Sequence, residues 1–340
     1  MLEELANQLR RSFGILQKQD IQVVAQFCAG GREDTGIQGH GDTETTQAKS
    51  QNLTSKIHLG DDCAAIPDGD GYLLMAAEGM LPALVEAEPW FAGWCAVMVN
   101  VSDICAMGGR PIAVVDTIWN QSTELSAPLL AGMQAAAAAY QVPIVGGHTN
   151  CHSPYNALSV AILGRAQRLI TSFDAKPGDR LLAAINLRGK PHPQYPFWNA
   201  ATEADPGHLR QDLAILPQLA ESGLCHAGKD ISMGGIIGTS LMLLETSGCG
   251  AILDLDAIPH PKDVPLERWL ISFPSYGFLL SVQPDKVAAV QALFHQRDLA
   301  CAVVGAIQPT HHLELHSQGE FIRFWDLQQD PLTGITAAEK

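Results

Sequence analysis

The chain is poor in positive charge. It has 21 Lys and Arg against 36 Asp and Glu, a formal net charge of −15. Such a deficit argues against nucleic acid or an anionic membrane as a main partner, because both call for a basic face. No apolar run approaches about 18 residues, so no membrane span is expected. The opening MLEELANQLRRSFG begins with acids and lacks an apolar stretch, so it does not read as a secretory leader. The eight cysteines include no C-x-x-C pair, which disfavours a zinc site. Most lie in apolar segments such as GWCAVMV, and we expect reduced, buried small hydrophobes in a cytoplasmic chain. Neither G-x-G-x-x-G nor G-x-x-x-x-G-K-[ST] occurs, which leaves a Rossmann dinucleotide site and a P-loop unsupported.

What remains reads as an ordinary globular chain. Its 340 residues are 46% apolar and 17% charged, enough for about two domains with cores of their own. Residues 1–28 carry helical periodicity through Leu5, Leu9, Phe13 and Leu16. Residues 29–56 are rich in Gly, Thr and Gln and nearly free of large apolar groups, so a flexible loop is expected, either plain surface or a lid over a ligand. A hairpin turn at Asp68–Gly71 joins two strands. A helix follows over 88–107, stopped by Gly108-Gly109 and Pro111. Then come a strand at PIAVVDTIW, an Ala-rich helix over 126–140, a buried strand VPIV running into a glycine turn, and a strand ALSVAILGRA. Turn residues Pro177-Gly178-Asp179 mark a boundary near 167–177. Beyond it we expect a strand at 180–186, an irregular loop at 187–205, a helix at 207–222, a loop GKDISMGG and a helix at 235–246. Strands at 251–256, FLLSV and CAVVGAI, a helix at 285–295 and a hairpin at Gln318-Gly319 complete a mixed α+β chain.

Four clusters carry chemistry. In LGDDCAAI, Asp61 and Asp62 are adjacent carboxylates between apolar residues. Two such charges about 4 Å apart repel by roughly 4 kcal/mol at an effective dielectric near 20, so a buried pair calls for a cation such as Mg²⁺; the alternative is a solvated turn. In VNVSDICAMGG, Asn100 and Asp103 share a face of an apolar helix. An inward carboxylate near a helix C-terminus calls for a positive partner, unless it is a buried hydrogen-bonded Asp. In IVGGHTN, Gly146 and Gly147 permit close approach of backbone to a ligand, with His148, Thr149 and Asn150 beside them; a plain loop fits equally. In GKDISMGG, Asp230 and Ser232 precede a helix N-terminus, which is either an anion site or a capped end. Glu78, an acid in an apolar run, is a further candidate ligand. Arg188, Lys190 and His192 form a compact basic group that would suit phosphate oxygens. Acids and glycines at element ends, with few bases, suit a metal-chelated polyphosphate.

The order LGDDCAAI, VNVSDICAMGGRP, VGGHTN, KPGD and KDISMGG resembles the aminoimidazole ribonucleotide (AIR) synthetase superfamily. That group includes formylglycinamidine ribonucleotide synthetase, selenophosphate synthetase, thiamine-monophosphate kinase and a hydrogenase maturation factor. The resemblance runs from about residue 58 to about 310. It implies a two-domain α+β fold in which the N-terminal domain dimerises through its sheet and a C-terminal α/β domain packs on it. On that basis residues 1–56 are an N-terminal helix and loop, 57–168 the ATP and metal domain, and 169–340 the C-terminal domain.

The resemblance also implies a cleft for ATP and Mg²⁺ and phosphorylation of a nucleophile. Asp61, Asp62 and Asp103 match the metal-binding acids, and Glu78 stands where relatives have an Asp. Asp103 and Asp230 take the catalytic positions. Asn100, Gly146, Gly147, His148 and Thr149 take nucleotide-side positions. The departures are specific. Cys28 does not reproduce the reactive N-terminal motif of selenophosphate synthetase, and ITAAEK lacks the terminal Cys of the hydrogenase factor. FPSYGFLL stands where the kinase has G-E-D-Y, and the early Gly-Val-Asp-Ser loop of AIR synthetase is missing. The expectation is therefore a Mg·ATP-dependent phosphotransferase or ligase-like homodimer acting on a small-molecule acceptor, in a branch of unassigned substrate. A catalytically altered nucleotide-binding regulatory module and a metal-dependent phosphate hydrolase are the alternatives.

Overall fold

A computed structural model describes residues 2–30 and 57–335. The expected loop 29–56 lies outside these residues except for its first two, which end a helix. The N-terminal segment is not one helix but three pieces: α1 (Leu2–Arg10), α2 (Phe13–Leu16) and, after a 3-10 turn at Gln17–Asp20, α3 (Ile21–Gly30). A Cβ on Gly14 would stand 2.4 Å from the backbone nitrogen of Gly234, so this segment lies directly on the second half of the chain.

The first half forms a five-stranded sheet from β1 (Ala64–Asp68), β2 (Gly71–Gly79), β3 (Arg110–Trp119), β4 (Ile144–Asn150) and β5 (Ala157–Ala166). Their order is β1-β2-β5-β3-β4. The hairpin turn falls where expected, with Asp68 opposite Gly71. Helices α4 (Pro82–Ala87), α5 (Pro89–Ala106) and α6 (Thr123–Tyr140) join the sheet in one hydrophobic core through Val97, Ile104, Leu129 and Met133. Pro89 opens α5 and Gly108, at φ +74°, ends it, matching the stop signal in the sequence. α5 and α6 pack at backbone contact. A Cβ on Gly93 would meet the Leu129 carbonyl at 2.1 Å, and one on Gly132 the Trp90 carbonyl at 1.9 Å.

The second half forms a seven-stranded sheet ordered β15-β14-β10-β13-β6-β12-β9. Its strands are β6 (Arg180–Ile185), β9 (Ala227–Asp230), β10 (Gly250–Asp254), β12 (Gly277–Val282), β13 (Ala300–Gln308), β14 (His312–Ser317) and β15 (Glu320–Asp326). The loop 187–205 is not wholly irregular: β7 (Lys190–Pro191) and β8 (Phe197–Asn199) pair there, and β11 (Phe273–Pro274) joins β8. The expected helix 207–222 is two, α7 (Pro206–Leu213) and α8 (Ile215–Glu221). Pro217 lacks an N–H and disfavours the helical bond that would bridge the break at Ala214. Then α9 (Gly235–Ser247) begins after Gly234, α10 (Leu266–Trp269) follows, and α11 (Val287–His295) leads into β13. Cys63, Cys95, Cys105, Cys151, Cys225, Cys249 and Cys301 are free thiols, and all but Cys95 and Cys151 are buried. Among the described residues no helix is long and apolar enough to cross a membrane.

Candidate functional site

Three acids from distant stretches meet in one place. Asp62 precedes β1, Asp103 lies on the last turns of α5, and Asp230 ends β9; one oxygen from each lies within 4.8 Å of the others. Asp103 and Asp230 are buried. Both arrive on rigid elements, and Asp230 is fixed by pairing of β9 with Phe278 of β12. The loop called for by GKDISMGG thus begins three residues later, at Ile231, because Gly228–Asp230 belong to β9. A cavity of about 530 Å³ surrounds the cluster, lined also by Lys18, Asp61, Glu78, Lys229 and Ser232.

The buried cation of the cluster, Lys229, pairs with Asp62 rather than with Asp103. Its Nζ is ion-paired and hydrogen-bonded to Asp62 Oδ1, and the Asp230 backbone N–H donates to Asp62 Oδ2 at 3.2 Å. Burial opposes a charge on Lys229, but Asp62, Asp61 and Asp230 together raise its pKa above the ordinary lysine value. One positive charge does not satisfy the cluster. Burial, then the Asp62 charge, pushes Asp230 up to about 8. Burial, then the charges of Asp230 and Glu78, pushes Asp103 well above the carboxylate range. Asp103 Oδ2 is buried with no hydrogen-bond partner among the described residues. Convergent oxygen donors, an excess of negative charge and an orphaned buried oxygen fit a hard divalent cation.

Asp61 borders the cavity but stands apart from the three. Its Oδ1 accepts the Asp62 N–H at 3.0 Å and its Oδ2 the Ser172 N–H at 2.9 Å. It therefore anchors the loop that presents Asp62. Burial, then the Asp62 charge, pushes it up to about 7. Glu78, on β2, reaches the cavity wall, and burial raises it above the ordinary glutamate value. Lys18 was not anticipated. Its turn QKQD reads as solvated surface, yet Lys18 lines the cavity with Nζ donating to Ser232 Oγ at 3.2 Å. Burial and the Lys229 charge lower its pKa. Lys229 sits in a motif that reads as a loop, and its burial comes from the pairing of β9 with Leu279 of β12.

The other expected residues lie elsewhere. Asn100 is buried on α5, donates to the Ala96 carbonyl at 2.8 Å and leaves Oδ1 without a partner among the described residues. Gly146, Gly147, His148 and Thr149 are exposed and border none of the cavities described. They form no glycine turn: β4 runs on to Asn150 as an edge strand, parallel to β3. The glycine at 147 answers to packing, since a Cβ there would stand 2.6 Å from the Asp116 carbonyl oxygen. The basic group is also spent on local pairs: Arg188 with Asp212 at 3.0 Å, Lys190 with Glu203 at 2.8 Å and His192 with Glu88 at 3.1 Å.

With this geometry in hand, the chain can be set beside known proteins. It matches the AIR synthase related N-terminal domain over residues 60–166 and the corresponding C-terminal domain over 184–318. The chain belongs to the AIR synthase related family. A Synechocystis relative, the uncharacterized protein sll0787, is 56% identical over 99% of both chains. Among solved structures, T. maritima PurL complexed with ATP superposes with a TM-score of 0.69 at 18% identity, covering 94% of this chain and 56% of that one. AaThiL complexed with AMPPCP and TMP gives a TM-score of 0.61 at 19% identity, covering 81% of this chain and 93% of that one. The chain thus spans little more than half the length of PurL. At these identities the two structures establish the shared fold, and the two-domain α+β architecture of this family member agrees with the expectation from sequence.

Proposed function

We propose that this AIR synthase related protein is a Mg·ATP-dependent phosphotransferase or ligase-like enzyme acting on a small molecule. The observation that carries the reading is the meeting of Asp62, Asp103 and Asp230 within 4.8 Å, with Asp103 Oδ2 orphaned. The nucleotide complexes of PurL and AaThiL support ATP as the co-substrate. Asp62, Asp103 and Asp230 would hold Mg²⁺, with Asp61 and Glu78 flanking it. When bound, the cation supplies neutralisation of charge between these carboxylates and the phosphate oxygens.

The rest falls to the chain's own side chains. Lys18 and Lys229 offer donors to phosphate oxygens. Asp230 presents its remaining oxygen to the acceptor, orients the attacking oxygen, and takes the proton when that oxygen belongs to a hydroxyl. The acceptor oxygen bonds to the γ-phosphorus as the bond to the β–γ bridging oxygen breaks, and ADP leaves with that electron pair. Residues 57–168 and 169–340 would act as the two functional units. The exposed face of the first sheet, with Met75 opposite Leu163 across β2 and β5 and Val115 opposite Ala161 across β3 and β5, supports a homodimer through that sheet. Gly146–Thr149 on the bare edge strand would then meet nucleotide from the other copy's side of the interface.

The test is ADP release from ATP across a metabolite panel. We expect release that needs both Mg²⁺ and one acceptor, and that Asp103→Asn abolishes. Nucleotide binding without turnover for any acceptor would favour the regulatory module. Release with water alone would favour the hydrolase.

A further inference from the structure

The acid cavity shares Lys18, Glu78, Val99, Met233 and Phe273 as walls with a second cavity of about 480 Å³. This volume suits one small organic ligand. The two spaces differ in chemistry. The second is walled by Leu81, Leu84, Phe91, Trp94, Met98 and Phe197, drawn from α4, α5 and β8 of both halves of the chain. Lys18, at the junction, is its one lining cation among the described residues. Trp94 is buried, and its indole Nε1 has no hydrogen-bond partner among them.

We propose that this second cavity takes the body of the acceptor, and that the acceptor is a small molecule with a flat, apolar, aromatic or heteroaromatic body and its nucleophilic oxygen at one end. The proposal rests on the phosphoryl-transfer reading above. A phosphate or a polyol placed among these walls would lose its water with no guanidinium or imidazole to replace it, a cost of several hydrogen bonds. A flat ring loses little water, and aromatic walls favour offset or edge contacts with it. An oxygen directed toward the shared wall at Lys18 and Glu78 arrives beside Asp230, where the phosphoryl group would be delivered.

The test uses the full chain and 1-anilinonaphthalene-8-sulfonate as a fluorescent probe. We expect one site whose Kd rises at least tenfold in Leu84→Trp, which fills the cavity. Met80→Trp, at a half-buried position on the wall, should do the same and covers the case in which Leu84→Trp fails to fold. We further expect 2-naphthylmethanol to displace the probe, ribose 5-phosphate to leave it bound, and saturating Mg·ADP to leave it bound. Unchanged probe affinity in both variants, or displacement by ribose 5-phosphate, overturns the proposal. Displacement by Mg·ADP also overturns it, because the cavity would then belong to adenine. Calorimetry of Mg·ADP on the same protein separates the two readings. No Mg·ADP binding sinks the phosphoryl-transfer reading and the acceptor role with it, whereas a failure at the probe leaves that reading intact.

Discussion

At the scale of single residues, Asp62, Asp103, Asp230 and Lys229 are mutually dependent. Asp103→Asn removes a buried carboxylate that has no partner, so the metal-free protein should be at least as stable as the parent, while Mg·ATP-dependent turnover falls roughly 10²-fold or more. Lys229→Met has the opposite signature. It leaves Asp62 buried and unpaired and should cost about 3–5 kcal/mol in urea unfolding. A Lys229→Met protein as stable as the parent would mean that the pair is not buried in solution.

The acids also set a pH dependence. Asp61 and Asp230 titrate near 7 and 8 when folded, but near 4 when unfolded. Between those values the folded state binds more protons, so stability is greatest at the acid end and falls as pH rises toward 8. In metal-free buffer the unfolding free energy should decline from pH 6 to 8.5, at up to about 1.4 kcal/mol per pH unit for each group, and the melting temperature with it. Added Mg²⁺ should flatten the decline.

At the scale of elements, close backbone contacts hold the site's supports in place. α5 carries Asp103, and its seat on α6 depends on Gly93 and Gly132. Gly132→Ala should force the helices apart, at about 1–3 kcal/mol in unfolding, and weaken metal binding in step. Gly14→Ala should act likewise on the segment that delivers Lys18. Much of this level was legible in the sequence. Pro89 and Gly108 bracket α5, and Asp68–Gly71 turns the hairpin, because such signals act locally. The split of the N-terminal helix was not legible from its apolar periodicity, and neither was the seat of α2 on Gly234, far away along the chain. A strand was expected at VPIV, but its exposure and its run to Asn150 were not, for a related reason: Gly146-Gly147 reads as a turn, whereas pairing with β3 holds it extended at the sheet edge. The candidate site followed the same division. Its acids are conspicuous in apolar stretches, but Lys18 becomes a cavity residue only once tertiary packing covers its polar turn.

At the scale of the whole molecule, the site draws on three separate parts: the N-terminal segment, the first sheet with its helices, and the second sheet. Neither half of the chain alone assembles Asp62, Asp103 and Asp230. The proposed dimer would add a fourth contributor through the exposed face of the first sheet. Val115→Glu combined with Met75→Glu would place charge in the middle of that face. Light scattering should then report half the mass of the parent protein, and an unchanged mass would place any dimer contact elsewhere.

Central to the proposed function is a carboxylate cluster that requires a divalent cation to bind nucleotide. The direct measurement is a calorimetric titration of ADP into the full chain, with Mg²⁺ and with EDTA, for the parent and for Asp103→Asn. We predict binding to the parent that disappears with EDTA and is at least tenfold weaker in Asp103→Asn. Equal ADP affinity in all four titrations would contradict the account.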